Sequence, residues 1–390
     1  MIKTNTFDVL VVYTESIATS ASSKLKGNIM PFSLAVTREH YSQAYAYFLR
    51  TCKKMNLKAA FTTSGDITGS GTCKSYWEYK DNKWLKVQEN GFALLIFDKV
   101  SSLRKGLKKK RNLLFSRGIS QPFNDKDLLV LFNDKLKTFN KLRSLTIPTV
   151  NITQKTVNRA ILKLKKLVSN HINQNDFSRS FILKDRFGAG GTDIYKIGKN
   201  PLDEISKILK DTPKTSFVLQ PFAKFDKGYS YKKNQGYTDI RTIYLGNKII
   251  QTYIRTASQN DFRCNEHQGG SLEYIKKSEI PSQIIRMSKE IADDLGNANS
   301  LFALDFIVSN AGNIYLMEGN SRPGLDWNLS KEKNKREGKK LIQVIVKELK
   351  RRSEKRVFEK YKRETLNIPS YIPILPILPI PLVSKISLVA

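Results

Sequence analysis

The stretch DFIVSNAGNIYLMEGNSRPG, residues 305–324, limits the possible folds most, because it predicts a β-hairpin whose apolar strands carry acidic side chains. Two short runs rich in β-branched, aliphatic and aromatic residues flank NAGN, a sequence that favours a tight turn. If residues 311–312 form a two-residue loop, Asp305 lies opposite Glu318. Asn320 then joins the same face, because alternate residues of a strand point to the same side.

This pairing predicts a metal site. Opposed side chains have Cβ atoms about 5 Å apart, and two carboxylates at that distance repel each other unless a cation or a proton lies between them. Two carboxylates and one amide offer only oxygen ligands, which suit Mg²⁺ better than zinc. The alternative is a hairpin exposed to solvent with scattered polar residues. Its apolar neighbours on both faces favour Asp305, Glu318 and Asn320 as metal ligands.

The composition is typical of a soluble globular protein with two or three domains, since the chain has 390 residues, of which 40% are hydrophobic and 26% charged. We see no apolar N-terminal run and no apolar stretch long enough to span a bilayer. Cys52, Cys73 and Cys264 are isolated, so neither a disulfide framework nor a zinc site is expected. These features predict a cytoplasmic protein.

The formal net charge of +32 allows three kinds of partner: nucleic acid, an anionic membrane, or acidic substrates and nucleotides. Basic residues are spread along the chain, with clusters at 104–111 and 331–340. A zinc finger, an RNA-recognition signature and aromatic-basic interleaving are all missing from the sequence. We therefore favour a lysine-rich surface with weak polyanion binding and expect no specific nucleic acid partner. The oligomeric state stays open.

The N-terminal part of the chain alternates strand and helix patterns, which predicts a parallel sheet. Strands are expected at 7–14, 57–64, 91–100 and 127–132, and a helix at 40–56. Farther along, we expect a helix that leads to a Pro-marked turn within 133–150, helices at 154–171 and 280–296, strands at 180–184 and 216–222, a hairpin at 239–257 and a basic amphipathic helix at 337–362. The five prolines between 369 and 381 exclude a membrane helix there. That tail is expected to be extended, either poorly ordered or docked on its own protein, a partner or a membrane surface.

A second informative stretch is FILKDRFGAGGTDIYKI, residues 181–197, which predicts a strand, a glycine-rich turn and another strand. Gly188, Gly190 and Gly191 would let backbone amides approach phosphate oxygens, and Lys184 would add positive charge. The stretch lacks the GKS/T of a Walker A motif. A glycine turn between strands is usually only a turn, but its position before an acidic hairpin favours a nucleotide-phosphate loop.

A third stretch, residues 239–270, places polar side chains at the edges of apolar strands. Its arginines are suited to holding carboxylates and phosphates in bidentate fashion. The alternative is a set of ordinary surface arginines on a basic protein. The candidate residues of this stretch are Asp239, Arg241, Arg255, Arg263 and Asn265.

Together these stretches resemble the ATP-grasp superfamily, most closely its branch of ribosomal-protein glutamate ligases, glutathione synthetase-like enzymes and spore-coat-associated proteins. Five blocks in order carry the resemblance: NDKLKTFNKL…IPTV, FILK…GAGG, VLQPF, DIR…R…NDFRCNEHQGG and ALDFIV…YLMEGNSRPG. The resemblance implies an α/β (α+β) ATP-grasp fold behind an N-terminal α/β domain. We expect that domain at 1–132, the ATP-grasp domain at 133–345 with a lid at about 150–222, a basic helix at 346–367 and an apolar Pro-rich tail at 368–390.

The resemblance also implies roles for individual residues. ATP phosphates would contact Lys135, Lys184 and the glycine loop, and Asp239 would lie near the ribose. Adenine would be held by backbone groups of a hinge formed by Gln220, Pro221, Phe222 and Ala223. Asp305, Glu318 and Asn320 would bind Mg²⁺, usually two ions, with Mn²⁺ as a substitute. Four residues would hold the γ-phosphate, the acyl phosphate or the substrate carboxylate: Arg241, Arg255, Arg263 and Asn265. Arg322 would lie at the entrance of the same site.

The resemblance implies an ATP- and Mg²⁺-dependent carboxylate–amine ligase that forms an amide through an acyl phosphate. The partners would be a carboxylate and an amine, as an amino acid or an acidic peptide or protein tail. The alternatives are a kinase-like phosphotransferase and a nonenzymatic ATP-binding scaffold. Two positions depart from the family pattern: Pro221 replaces a common acidic residue, and Asp185 places an extra carboxylate near the triphosphate.

Overall fold

The computed structural model describes residues 4–27, 29–33, 39–100, 105–232, 235–296, 299–325 and 331–365. The chain divides into two units, residues 1–350 and residues 351–390. The predicted proline-rich tail at 368–390 lies outside the described residues. In the part of the chain that is described, no helix combines the length and the apolar character needed to cross a membrane.

An eight-stranded mixed sheet forms from the N-terminal residues, in the strand order β3-β4-β7-β1-β2-β5-β6 with β8 beside β7. Its elements are β1 (Thr4–Tyr13), α1 (Glu39–Lys54), β2 (Ala59–Thr63), β3 (Ile67–Gly69), β4 (Thr72–Cys73), β5 (Tyr76–Lys80), β6 (Lys83–Val87), β7 (Asn90–Lys99), α2 (Lys105–Leu114) and β8 (Gln121–Pro122). The predicted parallel pairing holds at the centre, where β1 pairs with β2 and β7. Residues 9–12 of β1 are fully buried, as a parallel strand covered on both faces requires.

The prediction of a strand at 127–132 is wrong, because these residues form the helix α3 (Lys126–Phe132). Asp125 caps it by accepting hydrogen bonds from the backbone N–H groups of Asp127 and Leu128. A short apolar run suits a buried strand or a helix equally well, and here the capping aspartate favours the helix. The next helix, α4 (Lys135–Lys141), is capped in the same way by Asp134.

A four-stranded antiparallel sheet follows, in the order β11-β10-β12-β9. Its elements are β9 (Val150–Ile152), α5 (Val157–Ser169), β10 (Phe177–Asp185), β11 (Ile194–Ile197), α6 (Pro201–Asp211) and β12 (Phe217–Ala223). Leu183 and Leu219 pack with Ala160 of α5 and Ile205 of α6 in one apolar cluster. Because side chains alternate along a strand, the opposite face of this sheet carries Lys184.

A five-stranded antiparallel sheet completes the first unit, in the order β15-β14-β13-β16-β17. The remaining elements are β13 (Thr238–Leu245), β14 (Lys248–Thr256), β15 (Ser271–Tyr274), α7 (Ser282–Asp294), β16 (Leu301–Val308), β17 (Ile314–Asn320) and α8 (Glu332–Thr365). Ile240, Ile254 and Phe306 pack with Ile284 and Ile291 of α7 in one cluster. On the other face, Ile243 and Ala303 pack with Leu341 of α8, and polar side chains occupy the rows around Asp305.

The hairpin of β16 and β17 has a longer loop than predicted. Val308 pairs with Ile314, so residues 309–313 form the connection in place of the predicted two-residue loop. The register shifts by one residue between Phe306 and Asp305, which makes Met317 the extra residue of a β-bulge. This shift offsets the longer loop, and the predicted pairing of Asp305 with Glu318 is confirmed.

Candidate active site

The register of the five-stranded sheet brings four functional side chains into one row. Tyr253 lies opposite Arg241, Arg241 opposite Asp305, and Asp305 opposite Glu318. In the row two residues away, Arg255 lies opposite Asp239. All these side chains share the face that is turned away from α7.

Asp305 is held by two arginines. Arg241 donates from Nε to Oδ1 and from Nη2 to Oδ2 of Asp305, both at 2.5 Å. Arg255 donates from Nη2 to the same Oδ2 at 2.9 Å, and it also binds both oxygens of Asp239 at 2.8 Å. Burial raises the pKa of Asp305, but the two guanidinium groups outweigh burial, so this pKa is lowered. Asp305 is therefore an ionised, fully engaged carboxylate.

The side-chain oxygen atoms of Glu318 and Asn320 are more accessible than those of Asp305, since both side chains are only half-buried. Lys135 forms an ion pair with Glu318, with its Nζ 3.5 Å from Oε1. Asn320 Oδ1 accepts a hydrogen bond from the backbone N–H of Arg322 at 2.9 Å. Carboxylate and amide oxygens suit Mg²⁺, which usually keeps several waters and needs only one or two protein carboxylates.

The oxygen atoms of these side chains suit Mg²⁺ in chemical type. The three predicted ligands are not equally free to bind it, however. Glu318 and Asn320 fit as they stand. Asp305 would join them only by exchanging a guanidinium contact for the metal. Among the described residues, the His, Cys, Asp and Glu side chains do not gather in any group of three or more that could hold a metal.

Two lysines lie near Glu318: Lys135 forms an ion pair with it, and Lys184 is close enough to feel its charge. Burial of the Lys184 ammonium lowers its pKa to about 8, and the charge of Lys135 acts in the same direction while Glu318 opposes both. Lys135 donates from Nζ to the backbone oxygen of Gly188 at 2.5 Å. The structure thus brings together the predicted phosphate lysines, the glycine loop and the predicted metal hairpin.

The glycine loop contacts the segment that carries Arg263 and Asn265. Gly190 and Gly191 have φ angles of +72° and +77°, a region that favours glycine. A Cβ atom at Gly191 would lie 2.8 Å from Asn265 Oδ1, so the two segments touch closely. Arg263 forms an ion pair with Asp261 at 2.9 Å, which neutralises its charge in this state.

Sequence reasoning missed how the glycine loop is anchored. Arg186 binds both oxygens of Asp134, from Nε at 2.8 Å and from Nη2 at 2.6 Å, and so links the loop to the start of α4. The N–H of Phe187 donates to Asp185 Oδ1 at 2.8 Å, so the carboxylate that departs from the family pattern supports the turn. The sequence signal was the charge pattern of NDK and KDR, which does not reveal that the two segments meet.

The predicted hinge residues lie in β12, where Gln220 and Phe222 are each 6% exposed. Lys196 Nζ lies 4.0 Å from the centre of the Phe222 ring, a cation–π contact that sequence reasoning also missed. Asp239 is fully buried under Arg255, so its predicted ribose contact stays a prediction. Arg322 donates to the backbone oxygen of Val100 and to Asn133 Oδ1.

Two cavities border these residues. A cavity of about 1300 Å³ lies beside β11, α6 and residues 257–263, and Arg263 lines it. A second cavity, lined by Lys135, Gln220 and Glu318, holds only about 10 Å³. The narrow cavity is far too small for a purine ring, so a nucleotide would enter it only if the surrounding elements separate.

The architecture is the ATP-grasp fold, because solved ATP-grasp structures share it. D-alanyl-alanine synthetase A from Vibrio cholerae superposes with a TM-score of 0.55 at 13% identity, over 90% of this chain and 99% of that one. A RimK domain ATP-grasp protein from Sphaerobacter thermophilus superposes with a TM-score of 0.50 at 10% identity, over 86% of this chain and 97% of that one. At such identities the likeness concerns the fold.

The family follows from the sequence. The model of the RimK-like ATP-grasp domain matches residues 133–345, more than half of the chain, and the chain belongs to that family. A probable alpha-L-glutamate ligase from Saccharophagus degradans is 33% identical over 131 residues, which are 31% of this chain and 40% of that protein. The matched segments cover between 27% and 56% of the curated relatives' own lengths. The predicted family and fold are confirmed.

Proposed function

We propose that this protein is an ATP-dependent carboxylate–amine ligase that forms an amide bond through an acyl phosphate. The observation that carries the proposal is the meeting of Lys135, Lys184 and Glu318, which come from three separate elements and lie beside a glycine loop. Family membership and the names of the ligase relatives support it. A cytoplasmic location and an amino acid or acidic peptide substrate belong to the same proposal.

In this proposal the two lysines and the glycine loop bind the triphosphate. Lys184 and Lys135 supply positive charge, and the backbone amides of residues 188–191 approach phosphate oxygens. The hinge Gln220–Ala223 receives adenine, and Asp239 lies toward the ribose. Glu318 and Asn320 would hold Mg²⁺, with Mn²⁺ as a substitute and Asp305 as an additional ligand. The bound ion would neutralise phosphate charge and leave the terminal phosphorus open to attack.

The reaction would begin when a substrate carboxylate oxygen attacks the γ-phosphorus of ATP, which gives an acyl phosphate and releases ADP. An amine then attacks the acyl carbon, and orthophosphate leaves as the amide forms. Arg263 and Asn265 would stabilise the oxyanions that develop in these steps. Arg263 must first exchange Asp261 for the substrate. Arg241 and Arg255 would contribute indirectly, because their hydrogen bonds hold Asp305 in place.

We further propose the domain roles expected from the sequence. Residues 1–132 would form the substrate-side domain and residues 133–345 the ATP-grasp domain, with residues 150–222 as the lid. The lid would open to admit ATP and close again to keep the acyl phosphate from water. The narrow cavity at Gln220 supports this, since a nucleotide needs more room than the present state provides.

The test is phosphate release from ATP and Mg²⁺ across a panel of amino acids and acidic peptides. Glu318→Ala should abolish substrate-stimulated release, while Glu290→Ala on the exposed face of α7 should leave it unchanged. Mass spectrometry of the product separates the candidates, because a ligase yields an amide and a phosphotransferase a stable phosphorylated product. ATP binding without stimulated release would overturn the proposal and favour the scaffold function.

A further inference from the structure

The strand β11 lies at the edge of the four-stranded sheet, and one of its two sides is open. In the order β11-β10-β12-β9 it pairs with β10, and no other strand of the described residues lies along its outer side. An open strand edge carries a row of unpaired N–H and C=O groups, which another chain can use for pairing. The outer side of β11 is therefore a candidate place for a further strand.

The register of the β10–β11 pair shows which backbone groups face outward. The N–H of Asp185 donates to the backbone oxygen of Asp193 at 3.0 Å, so these two residues form a hydrogen-bonded pair. Such pairs alternate with non-hydrogen-bonded pairs along an antiparallel ladder, and the register continues without a shift to Ile197. The N–H and C=O groups of Ile194 and Lys196 therefore point to the open side.

The side chain of Lys196 does not close this edge. Its Nζ lies 4.0 Å from the centre of the Phe222 ring, so the side chain lies over the face of the sheet. The open edge instead borders the cavity of about 1300 Å³, which all four residues of β11 line. Pockets for small molecules usually measure about 300–1,000 Å³, so this cavity suits a longer ligand.

The other walls of this cavity suit a peptide that carries a carboxylate. Tyr237 and Phe262 offer aromatic surface, and Ile208 of α6 offers apolar surface beside β11. Arg263 also lines the cavity, and it donates from Nη1 to the backbone oxygen of Gly191 at 3.5 Å. The cavity therefore joins the open edge of β11 to the glycine loop, where phosphate transfer is proposed.

We propose that an extended peptide pairs with the open edge of β11 as a further strand of this sheet and presents a carboxylate to Arg263. The inference rests on the proposed function and narrows its substrate from an amino acid or a peptide to a peptide. Main-chain hydrogen bonds to Ile194 and Lys196 supply affinity, and alternate side chains of the peptide contact the apolar walls. A free amino acid has too little backbone for this pairing.

The test measures phosphate release from ATP and Mg²⁺ by the full-length chain, with two probes. One is a hexapeptide of alternating valine and glutamate, a pattern that favours an extended strand, and the other is free glutamate. We expect the KM for the peptide to be about tenfold or more below the KM for glutamate, because glutamate lacks the main-chain hydrogen bonds.

Two substitutions at one position isolate the backbone contact. Lys196→Pro removes the outward N–H, and an edge strand tolerates proline where the N–H faces away from the ladder. Lys196→Ala is the matched control, because it loses the same contact with Phe222 but keeps the N–H. The KM for the peptide should be about tenfold higher in Lys196→Pro than in Lys196→Ala, while both variants share one KM for ATP.

Wild-type protein without any stimulated phosphate release would overturn the proposed function and this inference together. Stimulation by glutamate that equals or exceeds stimulation by the peptide would overturn only the inference, and so would equal peptide KM values in the two folded variants. If circular dichroism shows that Lys196→Pro fails to fold, N-methylation of single peptide amides decides instead. Strand pairing predicts that every second amide is sensitive, and effects without this alternation would overturn the inference.

Discussion

Arg241 binds both oxygens of Asp305, with two hydrogen bonds of 2.5 Å that join neighbouring strands across the centre of the five-stranded sheet. Both side chains are almost fully buried, and Arg255 adds a third hydrogen bond to the same carboxylate. Removing the Asp305 carboxylate would leave Arg241 charged, buried and without its anion, while Arg255 would keep only Asp239. The pair therefore matters for stability as well as for the site.

Asp305→Asn should destabilise the protein by about 3–5 kcal/mol, because Arg241 and Arg255 lose their shared anion. Urea unfolding followed by circular dichroism measures this change. The control is Asp294→Asn, whose carboxylate forms an exposed ion pair with Lys141 at 3.2 Å and should contribute less than about 1 kcal/mol. Equal unfolding midpoints for the two variants would contradict the prediction.

Gly191→Ala should weaken ATP binding without unfolding the protein. The residue has a φ of +77°, and a new Cβ would lie 2.8 Å from Asn265 Oδ1 and 2.9 Å from Gln268 Cγ, so the loop must shift. We expect the KM for ATP to rise at least tenfold. Gly198→Ala, directly after β11, is the matched control, since the nearest atom to its Cβ would be 3.6 Å away. If both variants kept the wild-type KM, the loop would have no part in nucleotide binding.

ATP affinity should weaken above pH 8. Burial lowers the pKa of Lys184 to about 8 from its usual 10.5, so the free site loses this positive charge as the pH rises through 8. The triphosphate favours the charged form, and binding then takes up a proton, which weakens affinity by up to about tenfold per pH unit. Binding titrations between pH 7 and pH 9.5 measure the slope. Lys184→Arg should remove it, because arginine stays charged throughout this range.

Arg186→Met should loosen the glycine loop while leaving the core intact. The substitution breaks the bidentate contact to Asp134, which joins the loop to α4. Backbone amides of residues 186–193 should exchange with deuterium faster, and nucleotide release should accelerate several-fold. Arg179→Met, at an exposed position of β10, is the control. Unchanged exchange in the loop would show that Asp134 does not restrain it.

The sequence by itself determined the elements with strong local signals. The β16–β17 hairpin, the glycine loop and the strands around Lys184 follow from alternation, turn residues and glycine, which act over a few neighbouring residues. The five sequence blocks, in their order along the chain, were enough to predict the family. The run at 127–132 was misread because five consecutive apolar residues, 128–132, suit helix and strand alike, although Asp125 carried a local signal for the helix.

Only the tertiary structure decided which partners these residues meet. Arg241 and Asp305 are 64 positions apart, and Gln220 and Thr149 are 71 apart. Periodicity predicts which face of a strand a side chain occupies, but the identity of its neighbour depends on strand order and register across the whole sheet. For that reason the sequence pointed to Asp305 as a metal ligand, whereas the folded chain shows it bound to two arginines.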